Sequence, residues 1–361
     1  MKNKKIKLLK DLISIPSPSG FEGNIAEFIR KELLQYLPKT RVKIDEYKNV
    51  IAIIKGTSDK KIMIDAHSDT IGFVVTNVDR SGLISLQYIG GGDIQILPAR
   101  YLNILTSTKK LNAIIGRKHA HLNENEDDIK IEHIKDVFID IGIRGRKQVL
   151  RKIKIGDPVV YKPYFEELEQ DKKLGQYIAG YGIDNKSGCF VLMETIREII
   201  KSKKKPIPTL IFTFSTQEEI GKAKVRQLIK KYKPDLFIGT DVTFATDCSD
   251  SEDDEIEREV GRCELGKGCV LYKGVGISKE TVKLLISIAQ KHKIKLQYQA
   301  SKGDIGYNSD IATDYISKAV IVGIPLRNMH SITEAISTKD LNYGIRLLTS
   351  FCISKEIRRI L

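Results

Sequence analysis

The stretch TLIFTFSTQEEIGKA, Thr209–Ala223, places two carboxylates, Glu218 and Glu219, directly behind a β-favouring apolar run. At the C-terminal end of a strand in an open α/β sheet, successive side chains point in different directions. One carboxylate can then bind a metal while its neighbour stays free as a base. Four other stretches carry side chains of the same kind near apolar runs: His67 and Asp69 in IDAHSD, Asp184 in YGIDNKSG, Asp241 in GTDVT and His330 in LRNMHS. Each alone has an ordinary explanation: a helix N-cap for Asp184, a hydrogen-bonded polar residue for either histidine, a turn start for Asp241. Together, two histidines and three carboxylates are what two divalent cations need: one of each per cation and a carboxylate that bridges both. Extended backbone in IDAHSD turns His67 and Asp69 to one face. Asp69 is therefore expected to hydrogen-bond the ring nitrogen of His67 that a metal leaves free. His119, His121, His133 and His292 have no comparable company.

The elements that must position these groups follow from apolar periodicity. Residues 4–14 and 22–37 have helical spacing around the turn-rich SIPSPSG. Residues 49–56 and 61–69 predict buried strands. From about residue 74 to 163 the pattern breaks into short β-like runs punctuated by Gly, Pro, Asp and Asn, with a single short helix around 144–152. That reads as an inserted all-β domain of barrel or sandwich type. From Gly180 the alternation of helices and strands resumes, ending in one long helix over 339–360. The expected fold is α/β, a mixed-sheet domain made of residues 1–73 and 164–361, interrupted by a barrel-like β domain at 74–163.

With 361 residues, 41% of them hydrophobic, the chain is long enough for one large α/β domain or for two domains. The formal charge of +14 raises the question of nucleic acid, but no Arg-rich motif, RNP-like aromatic pattern or zinc-finger spacing accompanies it. No nucleic-acid or membrane partner is expected; no stretch approaches 18 uninterrupted apolar residues. Five cysteines without a CxxC pair argue against a disulfide framework and for a reducing, cytoplasmic location.

In order along the chain, IPSPSGFEGNIAEFI, AHSDTIGF, IGGGDIQILPAR, VFIDIG, GDPVVYKPYFEEL, GIDNKSGCFVLMETI, STQEEIG, DVT, GKGCVLYKG and GIPLRNMHS closely resemble the tetrahedral-particle (TET-type) metal aminopeptidases. This is the glutamyl or deblocking aminopeptidase family, some of whose members carry an endoglucanase label. The resemblance runs over nearly the whole chain. It implies a dinuclear metal exopeptidase that removes N-terminal residues from oligopeptides, with two divalent ions, zinc or cobalt. It assigns the metal ligands to His67, Asp184 (bridging), Glu219, Asp241 and His330, the general base to Glu218 and the His-orienting carboxylate to Asp69. It also implies self-assembly through the inserted β domain, commonly into a tetrahedral dodecamer. An N-acyl-amino-acid or N-acyl-peptide hydrolase using the same two-metal site is the alternative. Thr70 and Lys186 replace the family's usual acid and arginine, and KAKVR follows QEEIG in place of a small-residue turn; these changes bear on substrate preference. The acidic run at 247–259 is expected to lie near the substrate mouth and to favour basic or neutral N-terminal residues.

Overall fold

The computed structural model describes residues 3–361 except 117–130, 132, 172–174, 222, 248–254 and 304–305. His119, His121 and most of the acidic run at 247–259 lie outside the described residues. The chain opens with α1 (Asn3–Ile13) and α2 (Gly23–Leu33), followed by β1 (Val42–Ile44), β2 (Val50–Ile54) and β3 (Lys61–His67). Next come β4 (Gly72–Val78), β5 (Ile84–Ile89), β6 (Tyr101–Leu105), β7 (Lys110–Ile115), β8 (Ile139–Asp140), the short α3 (Arg146–Leu150) and β9 (Pro158–Tyr161). β10 (Phe165–Asp171) and β11 (Gly175–Gly180) lead into α4 (Ile183–Ser202). The remainder is β12 (Thr209–Ser215), α5 (Ala223–Tyr232), β13 (Leu236–Phe244), α6 (Glu255–Val260), β14 (Cys269–Val275), α7 (Lys279–Lys291), β15 (Leu296–Lys302), α8 (Asn308–Thr313), β16 (Ala319–Leu326), β17 (Glu334–Ser337) and α9 (Thr338–Cys352).

Eight strands form one mixed sheet in the order β1-β2-β12-β3-β13-β16-β14-β15. Its centre, β12-β3-β13-β16, is parallel. These strands are buried on both faces, so they read as continuous apolar runs rather than as an alternation. The alternation reappears in which core each residue joins. Ile62, Ile64 and Ala66 of β3 pack with Leu9, Leu12, Phe190 and Leu348 on one side, whereas Met63 packs with Val225, Leu228 and Ala312 on the other. Helices α1, α2, α4, α7 and α9 cover the first face, and α5 with α8 covers the second. Removing the fully buried Phe190 ring from α4 would cost about 3–5 kcal/mol, the usual range for such a cavity.

The chain leaves the sheet five residues after His67. Strands β4-β5-β8-β7-β6-β9 close into a barrel with its own core, which includes Phe73, Leu86, Leu102, Ile104 and Val159. Closure resolves the choice between barrel and sandwich that the turn-rich pattern left open. A small antiparallel sheet, β10-β11-β17, then returns the chain to α4.

The C-terminal helix departs from expectation. Apolar spacing predicts one helix over 339–360, but α9 stops at Cys352 and a separate 3-10 turn spans Lys355–Arg359. Ser354 is extended, with φ −72° and ψ 135°, and its hydroxyl accepts the N–H of Glu356. A serine that satisfies a local backbone donor in this way ends one helix and starts another turn.

Candidate metal centre

The parallel strands deliver the ligand-type residues to one rim of the sheet. Register places Ser215 of β12 opposite His67 of β3, and Gly239 of β13 opposite Asp65. Two residues beyond that last pair, Asp241 comes level with His67. Glu218 and Glu219 follow the end of β12, His330 follows the end of β16, and Asp184 stands in the first turn of α4. The α4 entry is not regular helix: Asp184 has ψ 113° and the Asp184–Asn185 peptide is cis. Asn185 ties this turn to β13 by donating to the Thr240 carbonyl at 2.9 Å and accepting from the Gly188 N–H at 3.0 Å.

Asp184 divides its two oxygens between two groups of side chains. Its Oδ1 lies 3.2 Å from His67 Nε2, which is itself 3.5 Å from Asp241 Oδ1. Its Oδ2 lies 3.4 Å from His330 Nε2, which is also 3.4 Å from Glu219 Oε2. Within each trio the candidate ligand atoms all fall within 4.8 Å of one another. The first trio is sealed in, with the His67 side chain only 3% exposed, while His330 is 38% exposed. The centre is therefore open to solvent on the His330 side.

Buried hydrogen bonds hold this arrangement. Around His67, Nδ1 lies 3.1 Å from the main-chain carbonyl of Asp69 and 3.5 Å from its carboxylate. The closer partner is thus the carbonyl, because the Asp69 carboxylate is engaged elsewhere. It accepts the N–H groups of Glu218 and Glu219, both at 3.1 Å, and the hydroxyl of Ser19. Asp69 thereby fixes the backbone of the paired glutamates as well as lying beside the imidazole. Gln217, with φ +60°, makes the turn before them, and its N–H goes to Glu22 Oε1 at 3.1 Å.

Glu334 does the corresponding work on the other side. One oxygen accepts from the N–H groups of Ile183 at 2.7 Å and Asp184 at 3.2 Å; the other accepts from His330 N–H at 3.1 Å. Nothing in the spacing around His330 separates Glu334 from a surface acid, and the same holds for Glu22. Their signal is three-dimensional: each is almost fully buried and bonded to main-chain N–H groups of segments distant in sequence.

The electrostatics follow from burial. Burial opposes the charge on His67, but Asp241, Asp184 and Asp69 around it hold the imidazole well above its ordinary value. Burial likewise opposes the charge on Asp184, yet His330 and His67 bring its carboxyl below the usual range. Glu219 is pushed well up, first by burial and then by the Asp184 charge, and burial raises Asp241. Among the described residues, the only ion pairs of these three carboxylates run to the two histidines. Buried carboxylates this close, without lysine or arginine, suit divalent cations, and nitrogen–oxygen donors fit zinc, cobalt or manganese.

Residues 48–347 match the profile of the M42 glutamyl aminopeptidase family. The chain belongs to that family. The M42 enzymes are metal-dependent hydrolases, and the function of this chain is that of an aminopeptidase. A relative from Acetivibrio thermocellus, provisionally named an aminopeptidase, is 30% identical over 346 residues, covering 94% of this chain and 96% of its own length. The lysyl aminopeptidase of Pyrococcus furiosus is 27% identical over 349 residues, 94% of each chain. Among solved structures, the TET1 peptidase of Pyrococcus horikoshii, which assembles into a tetrahedron or a large octahedral shell, superposes with a TM-score of 0.85 at 26% identity. That match covers 97% of this chain and 99% of the other. The mixed sheet and closed barrel are thus the fold of the M42 and TET enzymes.

Proposed function

We propose that this M42 aminopeptidase works with two divalent cations. One is held by His67, Asp184 and Asp241, and the other by Asp184, Glu219 and His330. The observation that carries this reading is the division of the Asp184 oxygens between two trios, each with one further carboxylate and one histidine. When bound, the cations activate water and polarise the scissile carbonyl of a peptide. Glu219 is committed to the His330 trio. Glu218, its buried neighbour, is the proton carrier: it takes the proton of the attacking water and passes it to the leaving amine. Asp69 positions both glutamates through their N–H groups and steadies the His67 ring.

The substrates are oligopeptides, cleaved at the N-terminal residue. Asp93 and the loop around Asn328 and Ser331 line the cleft beside His330, and Asp93 is the carboxylate of that lining. An exposed acid there favours basic or neutral over acidic N-terminal residues at low salt. Asp247, which begins the acidic run, is held by Arg327 at 2.8 and 2.9 Å, three residues before His330. That anchor ties Asp247 to the segment that carries His330.

The barrel, taken as the domain at 74–163, serves assembly into a closed homo-oligomer of the tetrahedral kind. It also borders the active site, because a Cβ at Gly91 would lie 3.3 Å from His330 Nδ1. Four described cysteines are free thiols, which fits a cytoplasmic location. The deciding experiment is a metal count after chelation and reloading with zinc, cobalt or manganese, combined with Lys-, Leu- and Glu-chromophore substrates. Two ions per chain with turnover restored is the expected result; full activity with one ion per chain would reject the dinuclear reading.

A further inference from the structure

A second cavity lies at the opposite rim of the sheet. Helix α4, Ile183–Ser202, begins at the metal centre and runs 20 residues, a span of about 30 Å. Immediately beyond its end, Lys204 and Lys205 meet the end of α7 at Lys291 and the C-terminal turn at Lys355 and Arg358. The space between them is about 760 Å³, within the size range of small-molecule sites. Glu356 is the single acid in its lining, and it is already engaged, 3.2 Å from Lys291 and 3.9 Å from Arg359. Among the described residues, Lys204, Lys205, Lys355 and Arg358 have no carboxylate partner.

Carbonyls at the helix ends that terminate here have other donors. The carbonyl of His292, at the end of α7, accepts from Arg346 at 2.6 Å. Near the end of α4 the Ile199 carbonyl accepts the Ser202 hydroxyl at 2.7 Å. Four unpaired cations from two segments distant in sequence therefore converge on one concave space, at the cost of mutual repulsion. A multiply charged anion is the ligand that relieves it, and lysine and arginine together are the usual donors to phosphate oxygens.

We infer that this cavity binds a compact polyphosphate anion, free or carried on a nucleoside, at a site remote from the metal centre. The probe is inorganic tripolyphosphate, titrated calorimetrically into the metal-loaded full-length enzyme. Tripolyphosphate also sequesters divalent ions, but that contribution is common to wild type and variants and cancels between them. Replacing Lys204, Lys205, Lys355 and Arg358 together by Ser should weaken binding at least about tenfold, and wild-type affinity should fall as salt rises. Lys204→Ser and Arg358→Ser alone, both at exposed positions, should move it the same way in smaller steps. Lys204→Arg with Lys205→Arg should retain it. Aminopeptidase activity, measured without polyphosphate, should be unchanged in all of these. ATP binding as tightly as tripolyphosphate would assign the site to the phosphate chain; tighter ATP binding would assign it to the nucleoside form. Equal tripolyphosphate affinity in wild type and the fourfold variant would overturn the inference. So would an RNA oligomer that displaces tripolyphosphate with an affinity that keeps rising with oligomer length.

Discussion

In the proposed reading, two adjacent glutamates divide their work because the strand-end turn aims them differently. Glu219 faces His330 across 3.4 Å, and Glu218 stands outside both trios. Glu218→Gln should keep its metal content and lose about 10²- to 10⁴-fold in kcat, the usual range for a proton carrier. Turnover near the wild-type rate at full metal occupancy would remove Glu218 from that role. Glu334 touches neither trio through its side chain yet holds the main chain of Asp184 and His330. Glu334→Gln puts an amide where one oxygen now accepts backbone N–H groups. Metal affinity in this variant, read by chelator competition, should drop about 10- to 100-fold, as for other groups that orient metal ligands. The loss in activity should be recovered by excess metal, which a general folding defect would not allow.

At the scale of elements, the close approach of α4 to β13 sets the position of Asp184. A Cβ added at Gly188 would come within 2.2 Å of Asn185 Oδ1 and 2.9 Å of the Thr240 carbonyl. Neither can retreat, since each is bonded to the other through Asn185 Nδ2. Gly188→Ala should therefore destabilise the protein by about 1–3 kcal/mol, the usual cost of overpacking. It should also weaken metal binding, because Asn185 follows the shared ligand directly; melting curves with and without metal separate the two effects. In the barrel, Tyr101 and Ile114 are register partners on β6 and β7 and are 69% and 48% exposed. This exposed pair is the candidate subunit contact for the assembly role proposed for the barrel. Replacing both with Lys should reduce the particle mass seen by light scattering while leaving the fold intact. An unchanged full-size particle would move the contact elsewhere.

For the whole molecule, metal and stability are linked. The rim gathers carboxylates from α4, β13 and the turn after β12, and cations that bind only the folded chain would hold these segments together. Saturating metal at about 100 times its dissociation constant should add about 2.7 kcal/mol to folding stability for each site filled. Chelation should lower the melting temperature of the wild type and restore it on reloading. The same treatment of an Asp184→Ala variant should produce a much smaller shift. Among the described residues no helix is long and apolar enough to cross a membrane.

Most of the candidate ligands could be picked out from the chain alone because they stand at or just beyond strand ends; Asp241 lies inside β13, three residues before its end. An apolar run that stops at His67, Ser215 or Leu326 marks the rim of a parallel sheet, and the sequence near each stop names the donor. The fold class followed from the same periodicity, and the all-β character of the insertion from its turn residues. Tertiary structure decided what depends on partners far away in sequence. Barrel closure rests on β4 pairing with β9 across some 80 residues of chain, which no local pattern encodes. The carbonyl of Asp69, rather than its carboxylate, lies closest to His67 because Ser19, Glu218 and Glu219 occupy the carboxylate. Glu22 and Glu334 stood out as acids that brace the candidate site only once burial set them against main-chain donors from other segments. The break at Ser354 depends on a single hydroxyl preferring its own backbone to a further helical turn. Local sequence fixes which groups a strand presents and where it ends. Only the folded chain fixes which donors and acceptors remain available to each of them.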